Sequence, residues 1–442
     1  MTTHMNRLTV MALVGALIFG ACNIEDLDDP NAPSINSISE GATLTQLNLL
    51  VSGLEAEARE GYELYVTSTG TVAREIYRFD ADPRNTADLL NGNIDNNTFY
   101  ITNPYGNAYG VVKTANLLID AVANTQSVSD AEKSGYNGVA NTFKAYALQR
   151  VADMLGSNGI RVDVGDPNNL GPFLSEADAL AAIEEIYDLG FSQLQAGEFA
   201  FSFSDGYEGF NDPANFASFN RALAARNNLQ QRDWAGALAN VDNSFFVSGD
   251  MPDLGPQFVF STSSGDFLNP LFRIPGNTGN MIFAHPSWVA EADPNDNRLS
   301  QISTRLKADG VTLDTFVRDG LNGIFETRKF ASSTAPIRII DNAELHLIRA
   351  EALSQTPGSE ADAVVLIDII RGLAGLTNYT GAQTSSALVD EILTQRRYLL
   401  WQTGLRFSDL RRYNRLNDMF LPLDRPDDVI SPEFPVPLSE GL

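Results

Sequence analysis

Residues 214–244 and 341–370 share one layout, in which two helices follow each other across a short turn. In the first stretch, apolar residues such as Phe219 and Leu223 recur at helical spacing, and the second helix is rich in alanine. A helix pair that packs closely through small residues is the unit of a tetratricopeptide-type scaffold. We therefore predict a mainly α fold, a tetratricopeptide-like helical-repeat scaffold with a loop-rich insertion that contains a few short strands.

Residues 392–413 concentrate basic side chains around a single acid, Asp409. Apolar residues recur at helical spacing as far as Gly404, which predicts a helix with a buried stripe. Buried guanidinium groups need partners, because an unpaired charge away from water is costly. We interpret the stretch as a structural cluster that locks the last helices onto the scaffold. Its predicted members are Arg396, Arg397, Arg406, Asp409 and Arg411.

The first 22 residues have the pattern of a lipoprotein signal. Arg7 precedes an apolar run over residues 8–19, which is too short to span a membrane, and Gly20-Ala21-Cys22 follows. An ordinary secretory signal with a chance cysteine is the alternative. We predict a signal peptide over residues 1–21, lipid attachment at Cys22 and an acidic tether over residues 22–36. Residues 37–442 are then one domain with a loop-rich insert at about 245–335.

Charge and rare residue types exclude several classes of function. The 56 acidic against 30 basic residues, a net charge of −26, argue against a nucleic-acid partner, whose phosphates require basic patches. Cys22 is the single cysteine, so neither a disulfide framework nor a thiolate metal site is possible. Three histidines stand far apart, and no motif assembles them into a metal site or a Ser-His-Asp triad. No metal and no cofactor are predicted.

Three blocks of sequence resemble the RagB/SusD family of outer-membrane nutrient-uptake lipoproteins. The first is the leader followed by DDPNAPS at 28–34, and the second is GVVKTAN at 110–116 with FKAYALQR at 143–150. The third is PIRIIDNAELHLIRAE at 336–351, followed by QRRYL at 395–399 and GLRFSDLRR at 404–412. In the family these are scaffold motifs. Glutamate is usual where Gln395 stands, so the arginines here must use Asp409, other acids or carbonyls.

The resemblance implies a function as well as a SusD-like fold. Members of the family are lipid-anchored in the outer membrane and exposed at the cell surface, and they bind a nutrient that is often a glycan. They are not enzymes, and they form a hinged lid on a SusC-like TonB-dependent transporter. Two alternatives stay open: a surface glycoside hydrolase, and a tetratricopeptide-type assembly lipoprotein.

Candidate ligand-binding residues are aromatic side chains in polar loops. Sugar rings stack their C–H faces on aromatic rings, while their hydroxyls pair with polar side chains. On this basis the predicted ligand-binding residues are Trp288, Tyr207, Phe210, Tyr77 and Arg78. For each of them a packing role in the core is the alternative. Trp234 and Trp401 are predicted to belong to the core.

Overall fold

A computed structural model describes residue 38 and residues 41–249 and 252–441. The predicted signal peptide, the lipid-attachment residue Cys22 and the tether lie outside the described residues. Within the described part of the chain, no helix combines the length and the apolar character needed to cross a membrane.

Helices dominate the first half of the structure, and most begin where the sequence provides a cap. Ser129 and Glu132 form a capping box at the start of the fifth helix, and the Ser175 hydroxyl accepts a hydrogen bond from the amide of Asp178 in the sixth. The helices are α1 (Leu44–Arg59), α2 (Tyr62–Val72), α3 (Ala87–Asn91), α4 (Phe99–Asn124), α5 (Asp130–Leu155), α6 (Glu176–Gln195), α7 (Pro213–Gln231) and α8 (Trp234–Asp242).

The second half adds five helices and completes the repeat scaffold. They are α9 (Pro286–Ala290), α10 (Asn342–Ser354), α11 (Glu360–Leu373), α12 (Ser385–Leu399) and α13 (Leu405–Arg412). Packing runs from α1 to α4, α5, α6, α7 and α8, and then across to α10, which contacts α11 and α12. Both predicted helix pairs, α7–α8 and α10–α11, are present. The predicted helical-repeat fold is confirmed.

Short antiparallel strands occupy the loop-rich regions. The strands are β1 (Ile76–Phe79), β2 (Ile160–Arg161), β3 (Phe173–Leu174), β4 (Gln257–Phe258), β5 (Met281–Ala284), β6 (Ile302–Thr304), β7 (Phe316–Arg318), β8 (Leu321–Gly323), β9 (Phe325–Thr327) and β10 (Ile337–Arg338). One four-stranded sheet has the order β1-β5-β9-β6, and β2-β3, β4-β10 and β7-β8 form pairs. Its edge strand β1 precedes the predicted insert by about 170 residues, so the sheet joins the insert to the N-terminal helices.

The segment after α13, residues 413–441, returns to the first half of the molecule. The amide of Val429 donates to the carbonyl of Leu90 at 2.9 Å, and the amide of Phe434 donates to the carbonyl of Met154 at 3.0 Å. Asp424 accepts hydrogen bonds from Tyr77 and from His285 of the four-stranded sheet region. This C-terminal segment therefore connects the sheet with α3 and α5.

The arginines of residues 392–413 are held by acids and carbonyl oxygens. Asp409 accepts from Arg396 Nε at 2.7 Å and from Arg412 Nη2 at 3.0 Å. The other partners are Glu351 for Arg412, Glu291 for Arg397, the Ala73 carbonyl for Arg406, and the Asp153 carbonyl with Glu176 for Arg411. These contacts join α12 and α13 to α5, α9 and α10. That the cluster stabilises the fold stays a prediction, taken up in the Discussion.

Candidate functional site

A cleft of about 440 Å³ lies at the centre of the scaffold. Its walls come from α2, α5, α7, the segment 329–341 and the turn between α12 and α13. Ala331 and Pro336 at its rim are exposed, whereas the side chains of its floor are buried. Ligand pockets in proteins commonly have volumes of roughly 300–1,000 Å³, so the cleft has the size of a small-ligand or sugar site.

Helical periodicity places the floor residues together. On α5, Tyr146, Gln149, Arg150 and Asp153 stand at intervals of three and four residues, which puts them on one face of the helix. That helix is buried on most of its circumference, so its polar side chains at these positions line an internal space rather than solvent. The polar floor of the cleft is therefore built chiefly by a single helix.

Three tyrosines form an aromatic wall in the cleft. Tyr62 and Tyr65 lie one turn apart on α2, with ring centroids 6.1 Å from each other, and Tyr146 belongs to α5. Burial raises the pKa of all three phenols, so their hydroxyl groups keep their protons and remain hydrogen-bond donors. Their side chains are only 4%, 3% and 4% exposed, so they contribute little open ring surface to the cleft.

A bidentate ion pair crosses the floor from α7 to α10. Arg226 Nε donates to Glu344 Oε1 at 2.7 Å, and its Nη2 donates to Oε2 at 2.6 Å. The same Nη2 also donates to the carbonyl of Ile339 at 2.8 Å. Both charges are thus satisfied within the protein, and the pair acts as a rigid part of the wall.

Several other polar groups of the floor have no partner among the described residues. They are Nε and Nη2 of Arg150, Nε2 of Gln149 and Oε1 of Gln402. The three side chains are 6%, 2% and 0% exposed. Buried polar groups are nearly always hydrogen-bonded, because leaving one unpaired costs free energy. Unpaired donors and an unpaired acceptor around one cleft indicate a site that receives a polar ligand.

Burial also perturbs the titratable groups of the cleft. It raises the pKa of Asp153 to about 7 despite the opposing charges of Arg411 and Arg226. It raises the pKa of Asp341, the N-cap of α10, to about 6. It lowers the pKa of Lys329 to about 8. Near neutral pH, the cleft therefore holds less negative charge than its acidic residues suggest.

The raised pKa of Asp153 predicts a pH-dependent stability. The unfolded chain loses this proton near the ordinary pKa of 3.8, whereas the folded protein keeps it up to about 7, so ionisation favours unfolding across that range. We compare the free energy of unfolding of Asp153→Asn with that of the unaltered protein. We expect this difference to shift in favour of the variant by up to roughly 3 kcal/mol as the pH rises from about 5 to about 8. Urea unfolding at both pH values measures the difference. Asp205→Asn, at an exposed position, is the control. A difference that stays constant with pH would contradict the prediction.

The structure places the five predicted ligand-binding residues in the interior; their role in ligand binding stays a prediction, against which this burial counts. None of the five lines the cleft, and their exposed fractions are 0% for Trp288, 1% for Tyr207, 3% for Phe210, 2% for Tyr77 and 9% for Arg78. A sugar cannot stack on a ring whose faces are already covered by protein. The four aromatic side chains among them serve packing, which was the alternative, and Arg78 is engaged in an ion pair.

The contacts of these residues give the physical reason. Trp288 packs 4.9 Å from Trp401 between ring centroids and 5.1 Å from Tyr398. Tyr207 stacks on Phe203, Phe210 packs against Phe245, and Tyr77 stacks on Phe79 and binds Asp424. Arg78 Nε pairs with Asp80 at 3.1 Å. Loops rich in Gly, Asn and Asp fold over the scaffold here and insert their aromatic rings into it.

The cleft is built largely from the sequence blocks that resembled scaffold motifs. Block 143–150 supplies Gln149 and Arg150, and block 336–351 supplies Glu344 and much of the segment that forms one wall. These residues are not among the predicted site residues. A usable signal existed: block 143–150 ends in adjacent Gln and Arg within a stretch, residues 145–155, that is otherwise mostly apolar or small. Polar residues on a helix buried all round need either internal partners or a ligand.

A chain of Asp424, His285 and Ser287 lies outside the cleft. His285 Nε2 is 2.8 Å from Asp424 Oδ1, and its Nδ1 is 2.8 Å from Ser287 Oγ. However, the same Nδ1 accepts the backbone amide of Ser287 as the N-cap of α9, and Arg397 donates to Ser287 Oγ at 2.8 Å. The hydroxyl is thus engaged in linking α9 to α12. The described residues contain no group of His, Cys, Asp or Glu arranged to hold a metal ion.

Comparisons with known proteins agree with the fold. A sequence model of the SusD family matches residues 293–436. Surface glycan-binding protein A from Bacteroides thetaiotaomicron, also solved in complex with laminarihexaose, has a TM-score of 0.70 at 15% identity, covering 90% of this chain and 96% of that one. A SusD superfamily protein from the same organism has a TM-score of 0.69 at 17% identity, covering 90% and 97%. A SusD superfamily protein from Bacteroides vulgatus has a TM-score of 0.68 at 15% identity, covering 90% of this chain and 96% of that one. No curated protein matches the sequence.

Proposed function

We propose that this chain is a member of the SusD family, whose sequence model matches residues 293–436, and that it binds a glycan or oligosaccharide and delivers it to a transporter. The single observation that carries the proposal is the central cleft, which is lined by buried polar groups without partners among the described residues. Directed hydrogen bonds to such groups are one of the main ways in which proteins bind sugars. The fold shared with surface glycan-binding protein A, which was solved with laminarihexaose, supports the same ligand class.

The cellular setting is part of the proposal. The leader and Cys22 support a lipid anchor in the outer membrane with the folded domain at the cell surface. A SusC-like TonB-dependent transporter is the proposed partner, with this protein as its lid. A ligand held by the lid then stands at a high effective concentration over the channel, so a modest affinity of the cleft suffices for uptake.

A blocking variant tests whether the cleft is the binding site. Ala331 is exposed at the rim, so Ala331→Trp fills the entrance without disturbing the core. After a glycan array identifies an oligosaccharide that binds, we expect this variant to weaken the affinity measured by titration calorimetry by about tenfold or more, because the entrance must open against the new ring. Ala382→Trp, at an exposed position outside the cleft, is the matched control and should bind normally.

Three results would contradict the proposal. One is the failure of all glycans to bind. Another is turnover of a chromogenic glycoside that is abolished by changing one carboxylate, which would identify a hydrolase. The last is copurification from native membranes with assembly machinery and without a β-barrel transporter, which would favour the assembly lipoprotein.

A further inference from the structure

We infer that the cleft recognises a carboxylate on its sugar ligand, and that Arg150 is the residue that binds it. The inference rests on the proposed function, because it assigns a chemical class to the glycan in the same site. Its ligand is an oligosaccharide that contains a uronic acid or another sugar carrying a carboxyl group.

The free atoms of Arg150 are the ones that a carboxylate requires. Its Nη1 donates to the carbonyl of Ala58 at 3.2 Å, whereas Nε and Nη2 have no partner. These two groups form one edge of the planar guanidinium, and their parallel N–H bonds match the two oxygens of a carboxylate. A carboxylate offers this edge two oxygens and a negative charge, whereas a hydroxyl offers it one neutral oxygen.

The guanidinium is also held in place before any ligand arrives. Its central carbon stands 4.9 Å from the ring centroid of Tyr146, one turn earlier on α5, so the ring supports one face of the group. Together with the bond to Ala58, this contact fixes the direction of the free edge. Gln149 Nε2 is a second unpaired donor of the floor, and Tyr187, which donates to Gln149 Oε1 at 3.0 Å, orients that amide.

Three of the four acids that line the cleft are engaged elsewhere, and the fourth, Asp253, is exposed. Glu344 is paired with Arg226, and Asp341 accepts the amide of Glu344 as a helix cap. The carboxylate of Asp153 accepts from the Tyr65 hydroxyl at 3.4 Å. Across residues 41–249 and 252–441, no salt bridge involves Arg150, although the chain as a whole has a net charge of −26. A buried cation left without an acid in so acidic a protein indicates that the ligand supplies the negative charge.

Two more cations in the cleft favour the same ligand charge. Arg338 donates to the carbonyl of Gly255 at 2.9 Å, and Lys329 donates to the carbonyl of Trp401. Neither forms a salt bridge with a described residue. With Arg150, the cleft thus contains three basic side chains that bind only neutral oxygens of the protein.

The test compares each uronate-containing oligosaccharide with its carboxyl-reduced form, which keeps the linkages and replaces the acid by a neutral alcohol. We expect the unaltered protein to bind the acidic form about 10- to 100-fold more tightly, the range given by losing one charge-assisted contact. Arg150→Met should lose this preference, and Arg150→Lys should keep a part of it. Arg84→Met, which removes an exposed arginine outside the cleft, is the matched control and should keep the full preference for the acidic form.

The outcomes separate this inference from the proposed function. Equal affinity for the two forms, or an Arg150→Met variant that keeps the preference, would overturn the carboxylate inference alone. Binding of neither form, nor of any neutral glycan, would overturn both. The comparison of the two ligand forms uses only the unaltered protein, so it decides the question even if Arg150→Met does not fold.

Discussion

Asp409→Ala is expected to lower the free energy of unfolding by about 3–5 kcal/mol, the usual cost of breaking a buried ion pair from one side. Asp409 accepts from Nε of Arg396, whose side chain is only 1% exposed and whose two terminal nitrogens have no hydrogen-bond partner among the described residues. Without the carboxylate, that guanidinium stays buried with its charge unbalanced. Thermal or urea unfolding, followed by circular dichroism, measures the effect.

The control for this prediction is an exposed pair of the same chemistry. Asp82 binds Arg84 at 2.6 Å, but the side chain of Arg84 is 49% exposed. Asp82→Ala should therefore cost less than about 1 kcal/mol. The Asp409→Ala protein that remains folded is expected to bind glycan with nearly unchanged affinity. Normal stability combined with lost binding would show that the arginine cluster is a binding site and not a structural one.

Trp288→Ala is expected to destabilise the protein by a similar amount, about 3–5 kcal/mol, because it removes a large aromatic side chain from the core. The ring is completely buried against Trp401 and Tyr398, and its Nε1 donates to the carbonyl of Arg397 at 3.4 Å. Its loss leaves a cavity between α9 and α12 that the packed neighbours cannot close. Chemical denaturation measures the change in unfolding free energy, and glycan titration of the folded fraction measures binding.

Trp234 offers a matched comparison for Trp288. It lies at the start of α8 and is only partly buried, so Trp234→Ala should cost clearly less than Trp288→Ala. Glycan affinity should be the same in both variants, because neither residue lines the cleft. A Trp288→Ala protein with full stability and weakened binding would restore the original assignment of Trp288 to the ligand site.

The helices were predictable because their signals are local. The caps at Ser129 and Ser175, and the apolar spacing in α7 and α10, depend only on residues within a few turns. The strands were predicted less completely, since β1 pairs with β5 across about 200 residues and its sequence alone does not specify the partner. Pairing between distant strands is set by tertiary packing. Residue propensity and the spacing of apolar residues do not specify it.

The cleft could not be predicted from the same local signals. Whether a loop aromatic faces solvent or the core depends on how the loop folds back, and in this chain Trp288, Tyr207 and Phe210 all turned inward. Conversely, Arg150 lies in the last two turns of α5, and a charged residue of a helix is normally expected on the exposed face. Only the neighbouring helices show that this face of α5 lines an enclosed space.

The return of residues 413–441 to the first helices has a consequence for the order of folding. Contacts such as Val429 to Leu90 and Phe434 to Met154 close loops of roughly 280 to 340 residues, which are slow to form because their closure costs much chain entropy. During synthesis, α3 and α5 emerge from the ribosome long before this segment. The surfaces that contact it therefore stay exposed to solvent until it has been made. We expect the chain to depend on chaperones until residues 413–441 have joined these helices.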